Sequence, residues 1–141
     1  MRTWRWRALI VLRHSKGGAG ESEELVSDIQ ALVQRLDDLS REYEPIVRIA
    51  YAVDVVGERG TMMVGMGQEG WMLSFAPKDD GEVQNSLGDA TADGQAAFFF
   101  GDHTLVSRKY LIARDDALNA LEHWCSTGRL NAGVRWTSAL F

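Results

Sequence analysis

Residues 115–136 read DDALNALEHWCSTGRLNAGVRW, the most informative stretch of the chain: a capped amphipathic helix running straight into a tryptophan-ended strand. Ala117, Leu118, Leu121, Trp124 and Cys125 recur at helical spacing on one face. Asp115 and Asp116 suit the positive start of a helix, and Gly128 suits its left-handed stop. A strand ending in Trp136 follows. The segment is therefore an amphipathic helix feeding a strand, with nothing catalytic on its surface.

Working back from that helix, residues 46–112 are short β-branched or aromatic runs separated by turn residues, the pattern of an antiparallel meander. Strands are expected at 46–56, 61–66, 71–76, 95–100 and 104–112, with turns at 57–60, 67–70 and 101–103. Between Pro77 and Gly94 the sequence PKDDGEVQNSLGDATADG is too polar for core and reads as one long exposed loop, and long loops in compact domains are often functional. Further back, Leu25, Ile29, Leu32, Val33, Leu36 and Leu39 mark one face of a long helix. Glu21, Glu23 and Glu24 favour its start, and Pro45 stops it. Trp4, Trp6, Ala8, Ile10 and Leu12 alternate with period two and read as the first strand, with a turn over residues 15–20. The expected order is β-α-β-β-β-β-β-α-β: an α+β domain with a mainly antiparallel sheet and both helices packed on one face.

A chain of 141 residues buries about 68–70% of its unfolded surface as one domain and is too short for two ordinary ones, so residues 1–141 are read as a single domain. The apolar run at residues 8–12, ended by Arg13, is too short for a signal peptide or a membrane span. Cys125 is the only cysteine, which excludes an intrachain disulfide and suits a reducing cytoplasm.

The net charge of −5 is unevenly spread. The first sixteen residues carry only basic charges. Acids gather in two clusters, one containing Glu21, Glu23, Glu24, Asp28, Asp37, Asp38, Glu42 and Glu44, the other Asp79, Asp80, Glu82, Asp89 and Asp93. Such surfaces repel nucleic acid and favour a basic protein partner, although acids also simply keep a surface solvated.

The candidates for chemistry are weak. Gly65, Gly67 and Gly70 in GMGQEG match the dinucleotide-binding glycine spacing, but WMLSFA follows as a strand where that motif needs a helix, so a hairpin turn is expected. His14, His103 and His123 lack metal-ligand spacing, and Asp79, Asp80 and Glu82 lack the full calcium-loop series. Asp102 and His103 are adjacent at a tight turn, which more often exposes two polar groups than builds an acid–base pair. Cys125 lies on the apolar stripe, where a thiol is inert packing. Phe98, Phe99 and Phe100 suit a strand covered on both faces. Trp4 and Trp6 interleave with Arg5 and Arg7, but the overall acidity argues against nucleic-acid binding. No catalytic, cofactor or metal residues are assigned.

Ala117, Leu121, Trp124, Thr127, Gly128, Val134 and Trp136 resemble the ending of the first-numbered immunity protein family of bacterial polymorphic toxin systems, in which an alanine-containing helix ends in Thr-Gly and leads to a valine and a tryptophan. The glycine turn followed by Trp71, Leu73 and Phe75, and the FFFGDHTLV hairpin with Gly101, are similar to that family's central strands. Where members often carry proline soon after Thr-Gly, this chain has Arg129, Leu130 and Asn131. The resemblance implies a protein without a catalytic site or cofactor that binds and neutralises a co-encoded toxin, commonly a nucleic-acid-directed deaminase or nuclease. It implies a cytoplasmic protein that is monomeric in its complex or weakly dimeric, without direct contact to nucleic acid or membrane. Asp79, Asp80, Glu82, Asp89 and Asp93 are the expected partner-binding residues on charge and loop length. A small acidic secretion chaperone is the alternative, distinguished by stable dimerisation and by binding unfolded segments.

Overall fold

The structure, a computed structural model, describes residues 10–15 and 20–138. The expected alternation at Trp4, Trp6 and Ala8 lies outside the described residues, as does most of the turn after Ser15. The described residues form nine strands and two helices: β1 Ile10–Ser15, β2 Glu21–Val26, α1 Ile29–Val47, β3 Ala50–Gly57, β4 Gly60–Met66, β5 Trp71–Pro77, β6 Gln84–Leu87, β7 Gln95–Phe99, β8 His103–Ser107, α2 Arg114–Thr127 and β9 Arg135–Thr137. A 3-10 turn, Arg108–Tyr110, follows β8. The sheet runs β2-β1-β3-β4-β5-β6-β9, antiparallel throughout, and β7 joins the edge of β3 in parallel at Ala50 and Tyr51. The α+β architecture is as the sequence indicates.

Two strands depart from the expected order. Glu21, Glu23 and Glu24 do not start a helix; they belong to β2, an edge strand paired to β1 from Ile10↔Val26 to Ser15↔Glu21. The helix begins later because Asp28 caps it, its carboxylate accepting the Ala31 N–H at 2.8 Å. The second departure is β6, which interrupts the expected loop. Its polar side chains are held by tertiary hydrogen bonds: Ser86 Oγ accepts the Leu73 N–H and donates to the Tyr110 carbonyl, and Ser74 Oγ donates to Asn85.

Pro45 lies inside α1 rather than ending it. Near the end of the helix a proline removes only one intrahelical donor. The stop comes at Arg48, in the left-handed region at φ 63°, with its N–H on the Glu44 carbonyl. Helix α2 starts at Arg114, so Asp115 and Asp116 occupy its first turn, and Gly128 closes it at φ 73°. The strand expected through Ile112 ends at Ser107, and Ile112 instead bridges to Trp71.

Both helices cover one face of the sheet. Leu32, Leu36, Leu39 and Tyr43 of α1 and Ala117, Ala120, Leu121 and Trp124 of α2 pack on Tyr51, Val53, Val55, Met62, Val64 and Leu73, alternate residues of β3, β4 and β5. Each fully buried leucine contributes about 2 kcal/mol of apolar transfer. Phe75 meets Trp124 edge-on at 5.8 Å, fixing α2 over β5.

The opposite face carries a smaller core of Met72, Phe98, Val106 and Tyr110, made when the β7–β8 hairpin and the 3-10 turn close over it. The phenylalanine run serves both faces: Phe99 stacks on Tyr51 beneath the helices, while Phe98 and Phe100 stack on each other on the helix-free side.

Candidate partner-binding surface

The five acids expected to meet a partner are all exposed, but β6 divides them. Asp79, Asp80 and Glu82 lie in the β5–β6 turn, which the Lys78 N–H ties to the Arg59 carbonyl at the end of the β3–β4 hairpin. Asp89 and Asp93 lie beyond the other end of β6, where the Gly88 N–H reaches the Lys109 carbonyl and the Arg108 N–H reaches the Gly94 carbonyl. The two groups occupy opposite ends of the sheet, separated by on the order of 13 Å of strand.

Their chemistry also differs. Asp89 is a turn residue whose carboxylate accepts the Thr91 hydroxyl at 2.6 Å and the Thr91 N–H at 2.9 Å, and these bonds hold its pKa below the ordinary carboxylate value. Asp79, Asp80, Glu82 and Asp93 make no ion pair among the described residues, so their charge faces water without internal compensation.

The first acidic cluster is largely used within the fold. Glu24 accepts two hydrogen bonds from Arg35, at 2.6 and 2.8 Å, and contacts His14 Nε2 at 2.8 Å, joining β2, α1 and β1. The Arg35 bonds hold its carboxyl below the usual range, against the opposing effect of burial. Asp37 binds Arg114 at the start of α2, Asp38 binds Arg41, and Glu23 binds Arg13.

The other candidates do not assemble into a centre. GMGQEG joins β4 to β5, so a strand follows it in sequence where the dinucleotide motif needs a helix. Asp102 and His103 are both exposed, and the Asp102 carboxylate accepts the Thr104 hydroxyl at 3.3 Å. Burial pushes the Cys125 thiol up to about 12, which leaves it protonated near neutrality. His14 is buried against Tyr43, whereas His103 is exposed at the hairpin. Among the described residues no group of three His, Cys, Asp or Glu side chains could hold a metal ion, and no helix is long and apolar enough to cross a membrane.

One feature of the surface escaped the sequence reading. The helix-free face extends beyond the β7–β8 hairpin, and Asp54 sits on it among Val11, Val56 and Met63, all half-buried. Burial raises the Asp54 carboxyl above its ordinary value, with Arg13 opposing. The signal was present in AYAVDVVG, where period-two alternation sets Asp54 on the face opposite Tyr51, Val53 and Val55.

The model of the family described as Immunity protein Imm1 matches residues 18–138, and the chain belongs to that family. The resemblance read from Trp71, Gly101, Thr127, Gly128 and Trp136 is thereby borne out. No curated protein matches the chain.

Proposed function

We propose that this immunity protein binds the toxin domain encoded beside it and silences that toxin in the cytoplasm of the producing cell by covering its active or substrate-binding surface. The toxin is nucleic-acid-directed, a deaminase or a nuclease. The observation that carries this reading, within the Imm1 family, is the uncompensated charge of residues 77–94: five acids against one lysine, with none of the five in an ion pair among the described residues. An enzyme acting on a polyanion must present a basic surface, and exposed carboxylates compete for it as phosphates do.

In this reading Asp79, Asp80, Glu82, Asp89 and Asp93 supply electrostatic contacts that speed encounter, and an apolar patch beside them supplies most of the affinity. The chain works as one domain, without metal, cofactor or direct contact to nucleic acid, and is a monomer in the complex or a weak homodimer. The buried area required is about 1,600 Å² in total.

The test is co-purification with the folded neighbouring toxin domain, followed by mass measurement of the complex. A tight one-to-one complex supports the proposal. A stable dimer of this chain that captures only an unfolded segment would instead mark a secretion chaperone.

A further inference from the structure

The helix-free face of the sheet is covered over only part of its area. The β7–β8 hairpin and the 3-10 turn close over Ala50, Gly65 and Met72. Beyond them the face continues through Val11, Val56, Thr61 and Met63, with no element packed across it among the described residues. At its outer edge Leu25 of β2 is 69% exposed, the highest value for a large hydrophobic side chain among the described residues. Where the hairpin tip meets the open face there is a cleft of about 140 Å³, bordered by Arg13, Asp54, Met63 and Phe100. A cavity of about 150 Å³ holds a benzene-sized group, so this one admits the end of a single side chain.

Charge identifies the occupant. Among the described residues, three carboxylates, Glu21, Glu23 and Asp54, share this face with one cation, Arg13, whose Nε lies 3.2 Å from Glu23 and 3.8 Å from Glu21. Asp54 pairs with Arg13 across the strands but accepts no hydrogen bond from a described residue. Asp79, Asp80 and Glu82 border the open half, because β4 pairs Gly60 with Pro77 and Thr61 with Ala76 at that end. A second copy of the chain is disfavoured here, since a two-fold contact would set this acid-rimmed patch against itself. A basic surface with an apolar centre complements it.

We propose that the uncovered half of the helix-free face, from Leu25 across Val11 and Val56 to Met63, is where a basic toxin domain docks, with one of its arginine or lysine side chains entering the cleft beside Asp54. This rests on the immunity reading and sharpens it. The loop acids become unequal: Asp79, Asp80 and Glu82 border the docked partner, whereas Asp89 and Asp93, at the covered end, act on its approach from farther away.

The experiment measures the affinity of the intact chain for the neighbouring toxin domain at low and high salt, together with toxin inhibition. The variants are Glu21→Lys/Glu23→Lys, Leu25→Arg, Asp54→Asn and, for comparison, Glu122→Lys, an exposed acid on α2 on the opposite side of the sheet. Melting curves verify folding; Glu21, Glu23 and Leu25 are exposed, so their variants carry the test even if Asp54→Asn unfolds. Each face variant is expected to weaken binding about tenfold or more, and the glutamate reversal to flatten the salt dependence, while Glu122→Lys changes affinity by less than about threefold. Wild-type protein that binds and inhibits, together with face variants that do so equally well, would overturn the docking surface and leave the immunity reading standing. Wild-type protein that neither binds nor inhibits would overturn both. A change of oligomeric state in the face variants would assign the surface to self-association instead.

Discussion

Phe98 occupies the space that a side chain at Gly65 would need: a Cβ there would stand 2.8 Å from two carbons of the Phe98 ring. The contact seats the β7–β8 hairpin on the sheet and so sets where the covered half of the face ends. Phe98 is almost fully buried and has little room to move. Gly65→Ala should cost about 1–3 kcal/mol by overpacking, and Phe98→Ala about 3–5 kcal/mol by leaving a cavity. Urea unfolding measures both. Combining Gly65→Ala with Phe98→Leu should cost less than the sum of the two single changes, because the smaller side chain relieves the clash.

Tyr51 closes the end of β1, its hydroxyl donating to the Ser15 carbonyl at 2.7 Å and accepting the Ser15 N–H at 2.9 Å. Beyond this point β7 takes over the edge of β3. Tyr51→Phe removes both bonds from a buried ring and is expected to cost about 1–3 kcal/mol. Amide exchange at Ser15 should accelerate while exchange in the centre of β4 follows only the global loss.

The Glu24 carboxyl is held below its ordinary value of 4.5, first by the Arg35 hydrogen bonds and then by His14, while burial acts in the opposite direction. A carboxylate with a depressed folded pKa stabilises the protein above its unfolded pKa and loses that contribution as pH falls through the folded value. Stability should therefore decline on acidification below about pH 4.5. Glu24→Gln should cost about 1–2 kcal/mol at pH 7, and its difference from wild type should shrink in denaturant titrations at lower pH.

Cys125, with its thiol pushed up to about 12 by burial, should react slowly with disulfide reagents in the native protein. At pH 8 the thiol therefore stays almost wholly protonated. Reaction should become fast only on unfolding, so a thiol assay across a urea titration should follow the unfolding curve. Rapid labelling of folded protein at pH 8 would show that Cys125 lies in an open environment.

Much of this architecture was legible because single segments determine it. Helix α2 follows from Ala117, Leu121, Trp124 and Gly128, and the β4–β5 hairpin from GMGQEG followed by WMLSFA. Strand β2 was not, because its acids occupy both sides: Glu23 turns outward to Arg13, and Glu24 turns inward to Arg35 and His14. No alternation of polarity survives to mark an edge strand. Strand β6 was hidden for a related reason, since Asn85 and Ser86 are buried only because Ser74, Leu73 and Tyr110 satisfy them from afar. The division of the loop acids into two groups follows from β6 and was hidden with it. Asp54 could be assigned to the helix-free face from its alternation, but not the hairpin that leaves that part of the face open, which depends on contacts more than thirty residues apart in sequence.

Under the proposed function this chain silences its toxin by occupying it. The most direct test titrates the neighbouring toxin domain with this protein and follows its activity on DNA and on RNA. Activity should fall linearly to the background at about one equivalent, as expected for a tight one-to-one inhibitor. Undiminished activity at saturating protein, with the complex formed, would contradict inhibition by occlusion.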